Sequence, residues 1–422
     1  MIRKRPGLKI AIIGSGIAGN TIAYHLHKQH DITVFEAEQY IGGHTHTHNI
    51  RHEGQDIAVD TGFIVFNDRT YPNFIALLNE LGVAWHASSM SFSVRCEESG
   101  LEYNGTSINS LFAQRLNLFR PSFHKMIQDI LRFNKSSLEL LADGNEIRLG
   151  DYLKHGGYSQ QFIDYYIIPM GSAIWSTDAK QMLDFPARFF VRFFHHHGML
   201  TVNNRPQWRT IVGGSASYVT ALTAPFSDRI RLNSPIESVR RLKGSVRIKP
   251  RFGAEETFDY VFFACHSDQA LHMLSDCSAA ETEVLGAIPY QHNTVYLHHD
   301  VSLLPRKKIA WAAWNYHVTK PASERVAVTY NMNILQGIES HDPLLVTLNH
   351  TAGIDPDKVI KRIDYMHPVY TVAGAAAQAR HAEISGVNRT GFAGAYWRNG
   401  FHEDGVVSAL EALKHFERYC RG

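Results

Sequence analysis

Cysteine is scarce: four residues in 422, Cys96, Cys265, Cys277 and Cys420, with no C-x-x-C spacing among them. That excludes a disulfide framework and a cysteine-based zinc site, and reads as free thiols in a reducing compartment. Long apolar runs are missing too. No stretch approaches the roughly 18 uninterrupted apolar residues that span a bilayer. The basic start, Met1 to Arg5, leads into an apolar run of only strand length, so it is neither signal peptide nor anchor. Charge of one sign is also lacking: the net charge is +2, which calls for no nucleic-acid partner. With 44% hydrophobic and 19% charged residues the chain is globular, and its length favours two domains. A cytoplasmic protein is expected. Histidine is what the chain has in plenty, with 25 residues, so the surface grows more basic below about pH 6.5.

The most informative stretch is residues 8–36. Ile10 to Ile13 reads as a buried parallel strand, Gly14-Ser15-Gly16-Ile17-Ala18-Gly19 breaks it, and Ile17 to Lys28 has helical periodicity. Ile32 to Phe35 forms a second strand and Glu36 ends it, followed by Ala37. This is a βαβ unit with G-x-G-x-x-G at its first turn. Gly14 permits the tight turn, Gly16 lets backbone approach a pyrophosphate, and Gly19 lets helix and strand pack closely. The helix N-terminus offers N–H groups to phosphate oxygens. Glu36 would accept hydrogen bonds from ribose hydroxyls and repel a 2′-phosphate, which disfavours NADP. The fingerprint is common to NAD and FAD.

A second glycine pair, Gly42-Gly43, followed by His44-Thr45 and then Asp60-Thr61-Gly62-Phe63, suits a longer cofactor whose far ring lies against backbone. Here the chain resembles the glutathione-reductase-like flavoproteins of the amine oxidase and phytoene desaturase group, with their E-x5-G-G-R-x-x-T and D-x-G motifs. His44 stands where that group has arginine, which leaves the partner of the pyrophosphate charge open. The alternating His44, His46 and His48 invite a zinc or a histidyl–flavin reading. No further ligand follows at a familiar spacing, so solvated or cofactor-adjacent imidazoles are the better reading, and no metal is expected.

Residues 71–205 read as mainly helical, with short strands between Phe92 and Tyr103. The basic, aromatic stretch Leu116 to Leu141 either lies on an anionic membrane surface, frames a substrate mouth, or packs one face on the core, the last being favoured. Phe189 to Gly198 either lines an apolar tunnel or is ordinary core. A tunnel would draw on Phe63, Phe66, Trp175, Phe190 and Phe194. Trp208 to Val219 reads as strand, glycine turn and helix. Short strands follow near 229–232, 235–241, 244–249 and 257–263, and later near 294–299, 309–316, 326–332 and 345–349.

The resemblance implies more. It makes the backbone of Ile236 an adenine contact and brings the strand ending at Ala264 toward the nucleotide. It also makes Gly394-Ala395 through Glu403-Asp404-Gly405-Val406 the C-terminal flavin motif, with non-covalent FAD because no cysteine lies between Gly394 and Asp404. The fold implied is α/β with an α+β partner: a glutathione-reductase-like Rossmann FAD-binding domain (1–70, 206–278 and 386–422) and an amine-oxidase-like substrate domain (71–205 and 279–385). Further segments, among them Arg205-Pro206-Gln207-Trp208, Leu297-His298-His299-Asp300 and Gly400-Phe401-His402-Glu403-Asp404-Gly405, are similar to a bacterial family of FAD-dependent oxidoreductases. Its members accompany cyclopropane-fatty-acyl-phospholipid synthase-like methyltransferases. That resemblance implies hydride removal from a hydrophobic small molecule or lipid acyl chain, such as desaturation of a methyl-branched acyl group, with peripheral contact at the inner membrane face.

The base for such a step would be His402, with His292 as second choice; either histidine can equally be structural. His292 falls near the position where amine oxidases keep a lysine, which this chain lacks. An amine or amino-acid oxidase, a carotenoid- or porphyrinogen-type dehydrogenase and a non-catalytic FAD protein stay open as alternatives.

Overall fold

The structure is a computed structural model that describes residues 7–142, 147–201, 203, 205–320 and 325–421. The basic start Met1 to Arg5 therefore lies outside the described residues. Two sheets organise the chain. The first is five-stranded and parallel, in the order Ile230–Arg231, Asp31–Phe35, Lys9–Ile13, Tyr260–Phe263, Thr390–Phe392. Its strands read as unbroken apolar runs because both faces are covered. On one face Ile10, Ile12, Val34 and Phe262 meet the helices Ile17–Leu26 and His402–Arg421 through Ile22, Ala409 and Phe416. On the other, Ala11, Ile13, Val261 and Phe263 meet Val239, Ile248, Met273 and Val284. The antiparallel ribbon Ile236–Arg241, Val246–Pro250, Glu256–Phe258 supplies the first two of these four.

The second sheet has seven strands in the order Val359–Pro368, Tyr290–His298, Leu345–Leu348, Val328–Asn331, Trp314–Val318, Phe92–Cys96, Glu102–Asn104. Only the pairing of Trp314–Val318 with Phe92–Cys96 is parallel. The largest core cluster lies between this sheet and the helices Pro121–Ser136, Ile168–Trp175 and Ala187–His196. Among the described residues no helix is long and apolar enough to cross a membrane.

Asp60 ties separate segments of the chain together. Its fully buried carboxylate accepts from Thr47 Oγ1 (2.5 Å), Ser215 N–H (3.0 Å) and Oγ (2.7 Å), and Gln336 Nε2 (3.1 Å). His298, at the end of its strand, is also fully buried. Its Nδ1 accepts from Asp300 N–H at 3.0 Å, and its Nε2 meets Thr347 Oγ1 at 2.7 Å.

Burial pushes the His298 imidazole down to about 4 from its ordinary 6.5. Between those values the unfolded chain binds a proton that the folded chain refuses. The residue therefore contributes stability that is full above the unfolded value and is lost as pH falls toward 4. In His298→Gln, the acid loss of unfolding free energy should flatten by up to about 1.4 kcal/mol per pH unit over that window. Urea unfolding at several pH values would detect it; an unchanged slope would contradict the buried neutral imidazole.

Candidate functional site: a cavity built on the first βα turn

The turn between Lys9–Ile13 and Ile17–Leu26 is shaped by contacts a side chain would spoil. Gly14 has φ +104°, and a Cβ there would stand 2.7 Å from the Ala264 carbonyl oxygen. A Cβ at Gly19 would come within 2.0 Å of Gly14 O, which is the helix–strand contact expected of the third glycine. Gly16 differs from both. It has ordinary extended backbone (φ −68°, ψ −179°), and a Cβ there would meet nothing within 4 Å. Gly16 bridges in parallel fashion to Gly42, whose φ of +126° suits glycine. The two glycine motifs thus form one wall. Glu36 is pinned behind it: Oε2 accepts from Ser15 N–H (2.9 Å) and Oγ (2.5 Å), and Oε1 from Glu38 N–H (2.9 Å).

These groups open onto a cavity of about 1530 Å³, well above the roughly 300–1,000 Å³ usual for a small-molecule site. The first turn contributes Gly14, Gly16, Ile17 and Ala18, and the residues just after the strand Asp31–Phe35 contribute Glu36 and Ala37. Gly42, Gly43 and His44 follow, then Thr61, Gly62 and Phe63. From far along the chain come Ile236, Ala264, Gly394, Ala395 and His402. The remaining expected residues stand behind the wall. Thr45 is buried, with its Oγ1 2.6 Å from Tyr218 Oη and 3.0 Å from His402 Nε2. Gly19 serves packing.

At the start of the C-terminal helix, His402–Arg421, the four flavin-motif residues that follow His402 stand outside the cavity lining and are engaged within the protein. The Glu403 carboxylate turns to the helix Pro72–Glu80, accepting from Asn73 N–H (3.1 Å), Asn73 Nδ2 (2.6 Å) and Phe74 N–H (2.9 Å), and so satisfies that helix's free donors. Asp404 accepts from Phe401 N–H at 3.0 Å, and burial pushes its carboxyl up to about 6. Gly405 allows close approach to Ile17, whose Cγ2 would lie 2.6 Å from an added Cβ, and Val406 belongs to the core around Phe66, Phe74 and Tyr218.

His402 stacks on Phe63 (3.6 Å between ring centres, 11° between planes), with Nε2 2.7 Å from Tyr218 Oη. Burial, helped by His44, holds the imidazole well below its ordinary range, so it is neutral. His292 stands apart from the cavity. It is on the opposite side of its strand from the inward-facing Asn293 and Val295, its Nε2 3.0 Å from Asp364 and its side chain 45% exposed. Strand parity removes it from the site.

Several cavity residues were not anticipated from the sequence. His44 is flanked by His367 and Tyr365 with ring centres 5.2 and 5.0 Å away, and by His266 at 6.2 Å. Burial lowers His44 and His266 to about 4 and His367 to about 3. The His44 Nε2 atom is buried without a hydrogen-bond partner. Among the described residues, the His44, His46 and His48 nitrogens do not gather as a metal ligand set.

The far half of the cavity is apolar, with Met170, Ile174, Trp175, Phe193, Trp314 and Tyr370 in its lining. The aromatic run is therefore divided. Phe193 and His197 line the cavity, whereas Phe190 and Phe194 stack on each other at 4.0 Å inside the core. Phe66 is likewise core and not lining. Cys265 touches the cavity, but burial pushes its thiol up to about 12, which keeps it an unreactive thiol.

A flavin dinucleotide fits these residues. Gly16 leaves backbone open to a phosphate, Glu36 keeps acceptor capacity at the second strand's end, and the buried His44 Nε2, which lines the same cavity through its residue, has its hydrogen-bonding capacity unmet by the protein.

Comparison with known proteins gives the same picture. Residues 17–299 match the family described as flavin containing amine oxidoreductase. A stretch of 108 residues is 33% identical to tryptophan 2-monooxygenase from Allorhizobium ampelinum, taking in 25% of this chain and 14% of that protein. The fold resembles cyclohexylamine oxidase from Brevibacterium oxydans IH-35A (TM-score 0.69, 14% identity, 98% of this chain and 99% of that one). It also resembles the CLA-producing fatty acid isomerase from P. acnes (TM-score 0.70, 16% identity, 99% and 100%).

Proposed function

The chain belongs to the flavin-containing amine oxidoreductase family, and from that membership we propose an FAD-dependent oxidoreductase that takes hydride from an apolar substrate. The substrate class proposed is a fatty acyl chain, with desaturation beside a methyl branch as the reaction. One observation carries the choice of substrate. Among the described residues the cavity wall contributed by residues 88–208 contains no carboxylate and no lysine lines the cavity, while Asp364, the acid that lines it from the other substrate segment, is already paired with His292 and Thr294. A cationic amine would lie there without a counter-charge, and a hydrocarbon chain would bury its surface against aromatic side chains.

The expected division of the chain is kept in this proposal. The parallel sheet draws its strands from 9–35, 230–263 and 390–392, inside the segments assigned to FAD. The seven-stranded sheet draws from 92–104 and 290–368, inside those assigned to substrate. Non-covalent FAD, when bound, supplies the two-electron acceptor. The chain's residues do the rest. The glycine wall and Glu36 hold the dinucleotide, the aromatic half excludes water, and neutral His402 takes a proton that it shares with the Thr45 and Tyr218 hydroxyls.

The test is anaerobic addition of phospholipid carrying methyl-branched unsaturated chains, followed at the flavin visible band. Bleaching with lipid supports the proposal. Bleaching with amines alone supports the amine oxidase reading, which the likeness to cyclohexylamine oxidase favours. A flavin that no substrate or reductant bleaches supports a non-catalytic role. His402→Ala should keep its flavin and be reduced by lipid about 10²- to 10³-fold more slowly; an unchanged rate would remove His402 from the chemistry.

A further inference from the structure

The short helix Ile108–Leu111, the turn Arg115–Phe119 and the helix Pro121–Ser136 form one surface. Arg115 ties the turn to the short helix through the Asn109 side chain (2.6 Å) and the Phe112 carbonyl (2.9 Å). His124 Nε2 meets the Leu118 carbonyl at 2.8 Å, and Phe112 packs edge-on against Phe123. This surface leaves large apolar side chains in solvent: Ile108 is 80% exposed, Leu116 72% and Phe119 82%. Leu131 is half exposed and also lines the cavity, so the cavity reaches the surface here, between Leu111 on one side and Ile127 and Leu131 on the other.

Along these elements the charge is predominantly positive. Residues 105–136 carry Arg115, Arg120, Lys125, Arg132 and Lys135 against a single acid, Asp129. Asp129 is fully buried, 2.8 Å from Lys125 and 3.0 Å from Arg132. Exposed aromatic and aliphatic side chains interspersed with cations have the composition of an interfacial element, and a patch of this kind on a monomer marks an interaction site.

We infer that this face docks on an anionic phospholipid bilayer, with Ile108, Leu116 and Phe119 entering the headgroup boundary. Docking sets the cavity mouth at Leu131 against the lipid. The charge complementarity selects a bilayer over a second copy of the chain, whose matching face would bring like charges together. The inference extends the acyl reading above, yet it is measured without turnover.

The experiment is co-sedimentation of the purified full chain with sucrose-loaded vesicles, either phosphatidylcholine alone or equimolar phosphatidylcholine and phosphatidylglycerol. Binding is expected to the anionic vesicles only, and to weaken as salt is raised. The double variant Leu116→Ser with Phe119→Ser, and separately Arg120→Glu with Lys135→Glu, should each lower partitioning roughly tenfold. All four sites are exposed surface positions outside the cavity lining, so flavin content and near-UV dichroism should not change.

Failure of the parent protein to bind anionic vesicles overturns the inference, as does undiminished binding by both variants. So does a dimer in sedimentation velocity that the serine variant dissociates. A chain that binds vesicles but carries no flavin would instead sink the proposed function and leave the docking face standing.

Discussion

Gly16→Leu is expected to give a folded protein that retains no flavin, with affinity for FAD reduced about a thousandfold or more. The backbone at Gly16 is ordinary for any L residue, and an added Cβ has no protein atom within 4 Å. Nothing in the fold needs glycine there, so stability of the FAD-free chain should change by less than about 1 kcal/mol. A ligand whose phosphates rest on that backbone does need it, because a leucine side chain fills their place. Gly19→Leu is the contrasting control. Its Cβ would stand 2.0 Å from Gly14 O, forcing helix from strand, and the protein should not fold. Visible absorbance relative to the protein band, with urea unfolding of each variant, separates the two effects. A Gly16→Leu protein with its full flavin complement would mean the glycine wall does not carry the cofactor.

Asp60→Ala should lower unfolding free energy by about 3–5 kcal/mol, because it strands several buried donors at once. Thr47, Ser215 and Gln336 come from three distant parts of the chain, and all lose their acceptor. Thr61 and Gly62 line the cavity directly after this anchor, so flavin retention should fall as well. Asp60→Asn keeps part of the acceptor capacity and should cost less. Burial already pushes the Asp60 carboxyl up to about 6. Its ionised form is thus disfavoured in the fold, and the penalty of the native residue grows as pH rises from about 4 through 6. Asp60→Asn should therefore remove a loss of stability that the parent protein suffers over that window. Urea midpoints at several pH values measure both effects; a change under about 1 kcal/mol for Asp60→Ala would contradict the anchoring role.

The nucleotide half of the site was legible in the sequence because its determinants are local. A strand, a glycine turn and a helix declare themselves by periodicity over residues 9–26, and close contacts fix where glycine is required. Orientation was less legible. His292 lies on the expected strand, but sheet parity turns it outward. Phe190 and Phe193 share one helix, and only tertiary packing decides which of its faces meets a cavity. Glu403 belongs to a motif expected at the cofactor, while its partners Asn73 and Phe74 lie some 330 residues earlier. The strand Val359–Pro368, which brings Tyr365 and His367 to the cavity, was not anticipated. The inward alternation of Ile363, Tyr365 and His367 signals it, but the adjacent Lys361, Arg362 and Asp364 mask the apolar pattern.

The most direct measurement is to denature the purified protein and identify what is released. FAD, close to one per chain and leaving no flavin attached to the polypeptide, is the expected result. FMN, a nicotinamide dinucleotide or no nucleotide at all would contradict a cavity built for FAD, and flavin that stays with the precipitated chain would contradict the non-covalent site.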